Sequence, residues 1–239
     1  MIQVTTSNNF RPIPHPRPCI TPTVTMAQDP RLNELLKWSI ENSESSKADP
    51  QAAAPATNLT PDVMAALMGG PSEADLMKAA MEVITSDHES VSLDDKLVAF
   101  DNFEQLIENL DNANNIANLG LWQPLLAQLQ HDEREIRKMA AWCIGTAVQN
   151  NEKTQDKLHA EGGLPTLVDV AVKDGEHEDV RRKAVYALSS ACRNHQPSMD
   201  VTADELSKKG HTYDKVDATD MESVDKVMSD LREKAKAAA

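Results

Sequence analysis

The sequence has few aromatic residues, few cysteines and no long apolar run. Aromatic residues make up 3% of the 239 residues, so the core must be built from Leu, Val, Ile, Met and Ala, which suits closely packed helices better than a β-sandwich. The three cysteines, Cys19, Cys143 and Cys192, are odd in number and far apart. This spacing implies no disulfide framework and favours a reducing compartment. We interpret Cys143 and Cys192 as small buried hydrophobes.

Catalytic, metal-binding and nucleic-acid-binding signatures are also missing. None of the histidines forms an HExxH motif or pairs with a cysteine at zinc-ligand spacing. There is no GxSxG motif, and Gly69-Gly70 is not followed by the Gly-Lys-Ser/Thr of a phosphate-binding loop. A net charge of −14 argues against nucleic acid or an anionic membrane as a partner, and no run approaches the ~20 apolar residues of a membrane span. We therefore expect no enzymatic activity, no cofactor and no metal.

A helical unit of about forty residues recurs along the chain. Apolar residues spaced by three and four mark an amphipathic helix that runs into an Asn/Asp-rich corner at residues 109–115; they are Leu93, Leu97, Phe100, Phe103, Ile107 and Leu110. Shifting residues 96–115 by 42 places aligns them with 138–157, and a further 44 aligns them with 182–196. The aligned columns are Lys96, Lys138 and Arg182; Phe100, Trp142 and Tyr186; and Leu106, Val148 and Cys192. A period near forty, helical throughout, indicates armadillo or HEAT-type repeats, and we predict an all-α, armadillo-like α-solenoid.

The sequence outside the repeats suggests helical caps and a flexible N-terminal region. We predict a disordered extension over 1–28, a short amphipathic helix plus linker over 29–59, a repeat body with an N-terminal cap over 60–197, and C-terminal capping helices over 198–239. No clear fourth repeat follows Pro197. Ser72 and Ser92 are expected to cap helices. Gly120, Gly162 and Gly175 are expected to break them.

Polar columns on the third helix of each repeat are the candidates for an interaction surface. These helices are expected to start near Leu93, Glu135 and Asp179. Their polar columns are Lys96, Lys138 and Arg182; Glu104, Thr146 and Ser190; Asn150-Asn151; and Arg193-Asn194. Structural explanations remain open for each. The aromatic column more often belongs to a core than to a ligand site, the Asn pairs could cap helix ends, and the basic column could be solvated surface.

Four segments of the chain resemble the fungal cytosolic nucleotide-exchange factors for heat-shock protein 70 chaperones. They are LVAFDNFEQLIENLDNANN, AAWCIGTAVQNNEKTQDKL, AVYALSSACRNHQP and the N-terminal LLKWSIENS. The resemblance implies a curved helical body that grips a lobe of the chaperone's ATPase domain, so that the nucleotide cleft opens and ADP leaves. It also implies a flexible N-terminal segment that helps release bound substrate.

On this resemblance we expect a cytoplasmic monomer whose partner is the ATPase domain of a heat-shock protein 70 chaperone. The predicted chaperone-binding residues are Asn112, Ala113, Asn114, Glu104, Asn150, Arg181, Arg182 and Arg193. The predicted substrate-release segment contains Leu35, Leu36, Trp38 and Ile40. Replacing Ala113 by Arg is expected to abolish chaperone binding and leave the helical circular dichroism intact.

A peptide-binding adaptor of the armadillo type is the alternative function, and a purely structural scaffold is a second one. Armadillo peptide grooves use a Trp followed four places on by Asn in successive repeats. Here the residues four places after Phe100, Trp142 and Tyr186 are Glu104, Thr146 and Ser190. The missing Asn ladder and the small number of repeats count against such a groove.

Overall fold

The computed structural model describes residues 71–237. The predictions made for residues 1–70, including the substrate-release segment, lie outside this range. Within 71–237 the chain forms ten α-helices and no β-strand, which confirms the all-α prediction. In chain order they are α1 Glu73–Ile84, α2 Leu93–Ile107, α3 Leu110–Asn118, α4 Trp122–Ala127, α5 Arg134–Ala147, α6 Glu152–Ala160, α7 Gly163–Val172, α8 Glu178–Cys192, α9 Gln196–Lys208 and α10 Met221–Ala237. A 3₁₀ turn, Gln128–Gln130, extends α4.

Four of these helices form a row in which each packs against the next. α2 packs against α5, α5 against α8, and α8 against α10, while α1 covers the other side of α2. Two three-helix repeats, α3–α4–α5 and α6–α7–α8, are thus flanked by the pairs α1–α2 and α9–α10. The helices α2, α5 and α8 begin within a residue of the predicted starts.

The C-terminal helices extend the row, although no fourth copy of the sequence pattern follows Pro197. α9 begins at Gln196 and packs against α7 and α8, so the predicted boundary between residues 197 and 198 falls inside a helix. α10 then packs against α8, as α8 packs against α5. Val224, Met228 and Leu231 are buried on one face of α10, as predicted, and Met221 is partly exposed.

Short polar side chains and glycines fix the helix ends. Ser92 caps α2 with a full capping box, in which its Oγ accepts from the Asp95 amide at 3.1 Å and the Asp95 carboxylate accepts from the Ser92 amide at 2.9 Å. The Asn109 side chain caps α3, so the Asn-rich corner begins a new helix. Gly120 and Gly162 adopt left-handed backbone angles, with φ of 68° and 72°, which side chains with a Cβ disfavour.

The core is aliphatic with a few large rings, of which Trp122, Phe100 and Phe103 are fully buried. Two leucines that the periodicity placed on the apolar face are in fact exposed: Leu93 by 38% and Leu110 by 58%. Leu93 and Leu110 are the first residues of α2 and α3. At these ends the side chains lie outside the packed layer of helices. They were wrongly assigned to the buried face.

Both described cysteines are buried and free, as predicted. Burial raises the pKa of the Cys143 thiol well above its ordinary value, and it raises the pKa of Cys192 to about 12. The thiolate is the reactive form of cysteine. These two residues therefore act as packing groups in the folded protein.

The central pair of the row, α5 and α8, approaches closely at a glycine. A Cβ placed on Gly145 would lie 2.5 Å from Cε1 of Tyr186 and 3.1 Å from Cα of Ala187. Small residues at a helix crossing allow the two backbones to come together. Gly145 therefore sets the spacing at the centre of the row and places the Tyr186 ring against α5.

Candidate functional site

One side of the row carries a cluster of partly exposed side chains, which we call the row face: Lys138, Trp142 and Thr146 on α5, and Lys183 and Tyr186 on α8. The three residues of the aromatic column predicted from the repeats differ in solvent exposure. Phe100 is fully buried, whereas Trp142 and Tyr186 are only half-buried. Tyr and Trp keep a polar atom that can face solvent, and the Tyr186 hydroxyl donates to Gln149 Oε1 at 3.3 Å. The interpretation of the column as core holds fully for Phe100, while Trp142 packs against the core and remains partly exposed.

Lys183 lies directly over this aromatic pair. Its Nζ is 3.6 Å from the centroid of the Trp142 ring and 5.7 Å from that of Tyr186, which is cation–π geometry. Burial lowers the pKa of Lys183, and the nearby charge of Glu104 partly opposes this. The sequence analysis did not select Lys183. Its neighbour Arg182 falls in the basic column, and nothing in a single helix shows that residue 183 meets a ring 41 places earlier.

Two members of the basic column, Lys138 on α5 and Arg182 on α8, are paired with acidic side chains. Lys138 contacts the carboxylates of Glu135 and Asp179, the latter at 3.7 Å. Arg182 contacts Glu178 at 3.5 Å on the same helix. These acids keep the row face mixed in charge.

Glu104, one of the predicted chaperone-binding residues, is buried under the row face with 6% exposure. Its Oε1 accepts a hydrogen bond from Thr146 Oγ1 at 2.7 Å. The two residues share a column of the repeat, and stacking of the row brings them into contact. Glu104 thus bridges α2 and α5 and offers little surface to a partner.

The predicted corner residues Asn112 and Ala113 are also buried, with 7% and 3% exposure. Asn112 Nδ2 donates to the Leu106 carbonyl at 2.9 Å and to Glu73 Oε2 at 2.8 Å, which ties α3 to the end of α2 and to α1. An arginine at position 113 must displace packed neighbours. The structure therefore does not support the expectation that Ala113→Arg leaves the helical structure undisturbed.

Asn114 is partly exposed and begins a line of hydrogen bonds between successive corners, which we call the corner edge. Asn151 Nδ2 donates to Asn114 Oδ1 at 3.2 Å. Gln155 Nε2 then donates to the carbonyls of Ser190 at 2.8 Å and Arg193 at 3.1 Å. Hydrogen bonds therefore connect α3 to α6, and α6 to the end of α8.

Asn150 and Arg193 lie at corresponding helix ends along this edge. Asn150 adopts a left-handed backbone with φ of 52°, as Asn194 does with 57°, and asparagine tolerates this conformation better than most residues. The structure thus supports the helix-ending interpretation of the Asn pairs. The Arg193 guanidinium donates to Asp225 of α10, so it joins the edge to the last helix of the row.

The eight predicted site residues therefore fall into separate groups. Arg181 and Arg182 lie near the start of α8, eleven or more residues before Arg193, which is about 16 Å along a helix. Arg181 is buried with 4% exposure, and its Nε donates to the Ala171 carbonyl at 3.0 Å. Of the eight, Asn114, Asn150, Arg182 and Arg193 present side chains toward solvent.

Within residues 71–237, no group of three or more His, Cys, Asp and Glu side chains is placed to hold a metal ion. In the same range, no helix is both long enough and apolar enough to cross a bilayer.

Comparisons with known proteins identify the family. The family model described as nucleotide exchange factor Fes1 matches residues 32–116, and the model described as SIL1/FES1/HPBP1 C-terminal domain matches residues 112–201. The Hsp70 nucleotide exchange factor FES1 of Gibberella zeae is 75% identical over 207 residues, which cover 86% of this chain and 97% of that protein. This chain belongs to the Fes1 family of nucleotide exchange factors.

Other fungal members of the Fes1 family support this assignment. The Hsp70 nucleotide exchange factor fes-1 of Neurospora crassa is 52% identical over 245 residues and is matched over its whole length, with 88% of this chain covered. FES1 of Coccidioides immitis is 51% identical over 215 residues, which cover 86% of this chain and 98% of that protein. The two family models meet at residues 112–116, the first turns of α3, so the junction between them is the corner that Asn112 holds in place.

Proposed function

We propose that this protein binds the ATPase domain of an Hsp70 chaperone and accelerates release of ADP from it. The observation that carries the proposal is the 75% identity, over nearly the full length, to a protein named as an Hsp70 nucleotide exchange factor. We further propose that it acts in the cytosol as a monomer. Its contribution is binding energy rather than bond chemistry.

The mechanism is coupled binding. A protein shifts a conformational equilibrium only by the difference between its affinities for the two states, so the helical row must bind the open nucleotide cleft more tightly than the closed one. Linkage is reciprocal: if the exchange factor weakens ADP binding by some factor, ADP weakens binding of the exchange factor by the same factor. Couplings of this kind are typically ~1–3 kcal/mol, which corresponds to about 5- to 150-fold in affinity.

The row face and the corner edge are the two surfaces that we propose for this contact. Both cross successive helices of a rigid stack, so each can contact a chaperone lobe without first becoming ordered. The row face carries the half-buried rings of Trp142 and Tyr186, and Trp and Tyr are enriched among the residues that dominate binding energy at protein interfaces. Asn114, Asn150 and Arg193 give the corner edge a polar surface of donors and acceptors.

Stopped-flow release of a fluorescent ADP analogue from a full-length fungal Hsp70 tests the proposal. We expect the release rate to rise with the concentration of this protein and to saturate. An isothermal titration with and without ADP tests the coupling, and we expect affinity to fall when ADP is present. Unchanged ADP release in the presence of the folded protein would overturn the proposed function.

The peptide-groove alternative is less well supported by the structure. A peptide groove needs an open aromatic face on which an extended chain can lie, but Lys183 of this protein covers the Trp142 ring at 3.6 Å. The residue four places after Trp142 is Thr146, which donates to the buried Glu104 instead of facing a ligand backbone.

A further inference from the structure

The cations of α5 and α8 differ in whether they have a carboxylate partner. On α5, Arg134, Arg137 and Lys138 each have a carboxylate oxygen within 3.7 Å. On α8, Arg182 has one at 3.5 Å, and the buried Arg181 donates to a backbone carbonyl. Among residues 71–237, Lys183 is the one cation of these two helices with neither a salt bridge nor a hydrogen bond.

The ammonium of Lys183 is nevertheless held in place. Its position over the Trp142 ring, with Tyr186 as a second ring nearby, fixes the amino group through its charge and its methylene stem. A cation–π contact uses none of the three N–H donors of the ammonium. A preorganised donor group with free hydrogen-bonding capacity binds a partner at lower entropic cost than a mobile surface lysine does.

The electrostatics around Lys183 favour an anionic ligand at this point. The chain as a whole carries a net charge of −14, so an acidic surface is repelled over most of it. Glu104 lies nearby and its charge partly offsets that of Lys183, but among residues 71–237 the two side chains do not form a salt bridge. Lys138 is neutralised by Glu135 and Asp179. The row face thus has one positive centre whose charge is not cancelled by a direct ion pair.

We infer that Lys183, stacked on Trp142, anchors a carboxylate side chain of the Hsp70 partner at the centre of the row face. This inference rests on the proposed function and adds to it a partner chemistry and a specificity-determining residue. A charge-assisted hydrogen bond at a half-buried site contributes more than an ion pair on open surface. The anchor therefore selects a chaperone surface that presents Asp or Glu at this point.

The test compares three substitutions at Lys183 with a charge-matched control. Lys183→Met removes the charge and keeps the apolar stem, Lys183→Arg keeps both the charge and the stacking, and Lys183→Glu reverses the charge. Lys78→Met is the control, because Lys78 is an exposed lysine of α1 and does not belong to the row face. For each full-length variant, the concentration that gives half-maximal acceleration of ADP release from a full-length fungal Hsp70 is measured at about 50 and 300 mM salt.

We expect Lys183→Met to raise the half-maximal concentration about tenfold at the lower salt concentration, the effect of losing one charge-assisted hydrogen bond. Lys183→Glu is expected to raise it further, while Lys78→Met remains within about twofold of the wild type. Lys183→Arg keeps a charged donor at the ring and is expected to raise it less than Lys183→Met does. The salt dependence is expected to decrease in Lys183→Met. Circular dichroism and thermal melting show whether each variant is folded. Lys183→Arg also shows whether another long cationic side chain at this position is compatible with folding.

A second experiment identifies the anchored group. Asp→Lys and Glu→Lys variants of the chaperone ATPase domain are tested against Lys183→Glu, and one of them is expected to restore exchange with this variant and to lose exchange with the wild type. If the wild type accelerates ADP release and Lys183→Met matches it at both salt concentrations, the anchor is wrong and the exchange function stands. If the wild type itself has no effect on ADP release, the proposed function fails first.

Discussion

Glu104 of α2 and Thr146 of α5 hold equivalent places in successive copies of the sequence pattern, 42 residues apart, and they are hydrogen-bonded to each other at 2.7 Å. The contact arises because stacked helices place residues of the same sequence column next to each other across the row. It satisfies a carboxylate that has only 6% of its surface exposed. The sequence column therefore marks a structural contact at this point, below the row face that carries Trp142 and Lys183.

Replacing Thr146 by Val removes the donor to Glu104 while keeping the side-chain shape. We expect the free energy of unfolding to fall by about 1–3 kcal/mol, the cost of leaving a buried acceptor unsatisfied. Urea denaturation followed by circular dichroism measures it. Thr146→Ser keeps the hydroxyl and serves as the control. Equal stabilities for Thr146→Val and wild type would show that water satisfies Glu104 in solution.

Replacing Gly145 by Ala is expected to destabilise the protein although alanine is the better helix former. The added Cβ would lie 2.5 Å from the Tyr186 ring and 3.1 Å from the Ala187 backbone, so α5 and α8 must separate. We expect a loss of about 1–3 kcal/mol, typical of overpacking. Thermal unfolding provides the measurement. The double variant Gly145→Ala with Tyr186→Leu is expected to recover part of the loss, and a gain in stability in the single variant would contradict the tight crossing.

Arg137 and Glu176 form a nearly buried ion pair, with Nε to Oε2 at 2.7 Å and Nη2 to Oε1 at 2.8 Å. Replacing Arg137 by Met leaves the Glu176 carboxylate without its partner. We expect a loss of about 3–5 kcal/mol in the free energy of unfolding, as for other broken buried pairs. Substituting both residues by Met is expected to recover much of the loss. A double variant as unstable as the single one would contradict the pairing.

The same pair predicts the direction of the acid dependence. Burial alone would raise the pKa of Glu176, but hydrogen bonds from Arg137 and the His177 amide outweigh it and hold the pKa below the ordinary 4.5. The folded state therefore gains stability from the ionised carboxylate above pH 4.5 and loses it as the pH falls through the lowered pKa. As the pH falls below 4.5, we expect the free energy of unfolding to decrease less for Glu176→Gln than for the wild type. Identical pH profiles would rule out this contribution.

Asn150 offers a test that separates structure from binding. Its left-handed backbone costs a β-carbon-bearing residue about 1–2 kcal/mol and costs glycine almost nothing. We expect Asn150→Ala to lose about 1 kcal/mol in urea denaturation, and Asn150→Gly to match or exceed the wild type. If Asn150 also contacts the chaperone, Asn150→Gly remains stable and its half-maximal concentration for ADP release increases. Stability loss in both variants would contradict the backbone argument.

Local patterns in the sequence determined the order of the helices, their caps and breaks, and the repeat that stacks them. The spacing of Phe100, Phe103 and Ile107 within one helix, the capping box at Ser92 and the left-handed glycines at 120 and 162 are confirmed. These features depend on residues a few places apart, whose geometry the backbone itself dictates. The resemblance in the same segments also pointed to the family that the comparisons identify.

The tertiary structure decided which members of a column face solvent and what each one touches. Phe100 is buried while Trp142 and Tyr186 are half-exposed, and Lys183 reaches a ring on another helix. The last helix, α10, joins the row without a recognisable sequence repeat, because it has an apolar face of its own to bury against its neighbours. Contacts of this kind join residues about forty places apart, and their outcome depends on how closely two helices approach. Gly145 sets that distance only once α8 lies against it.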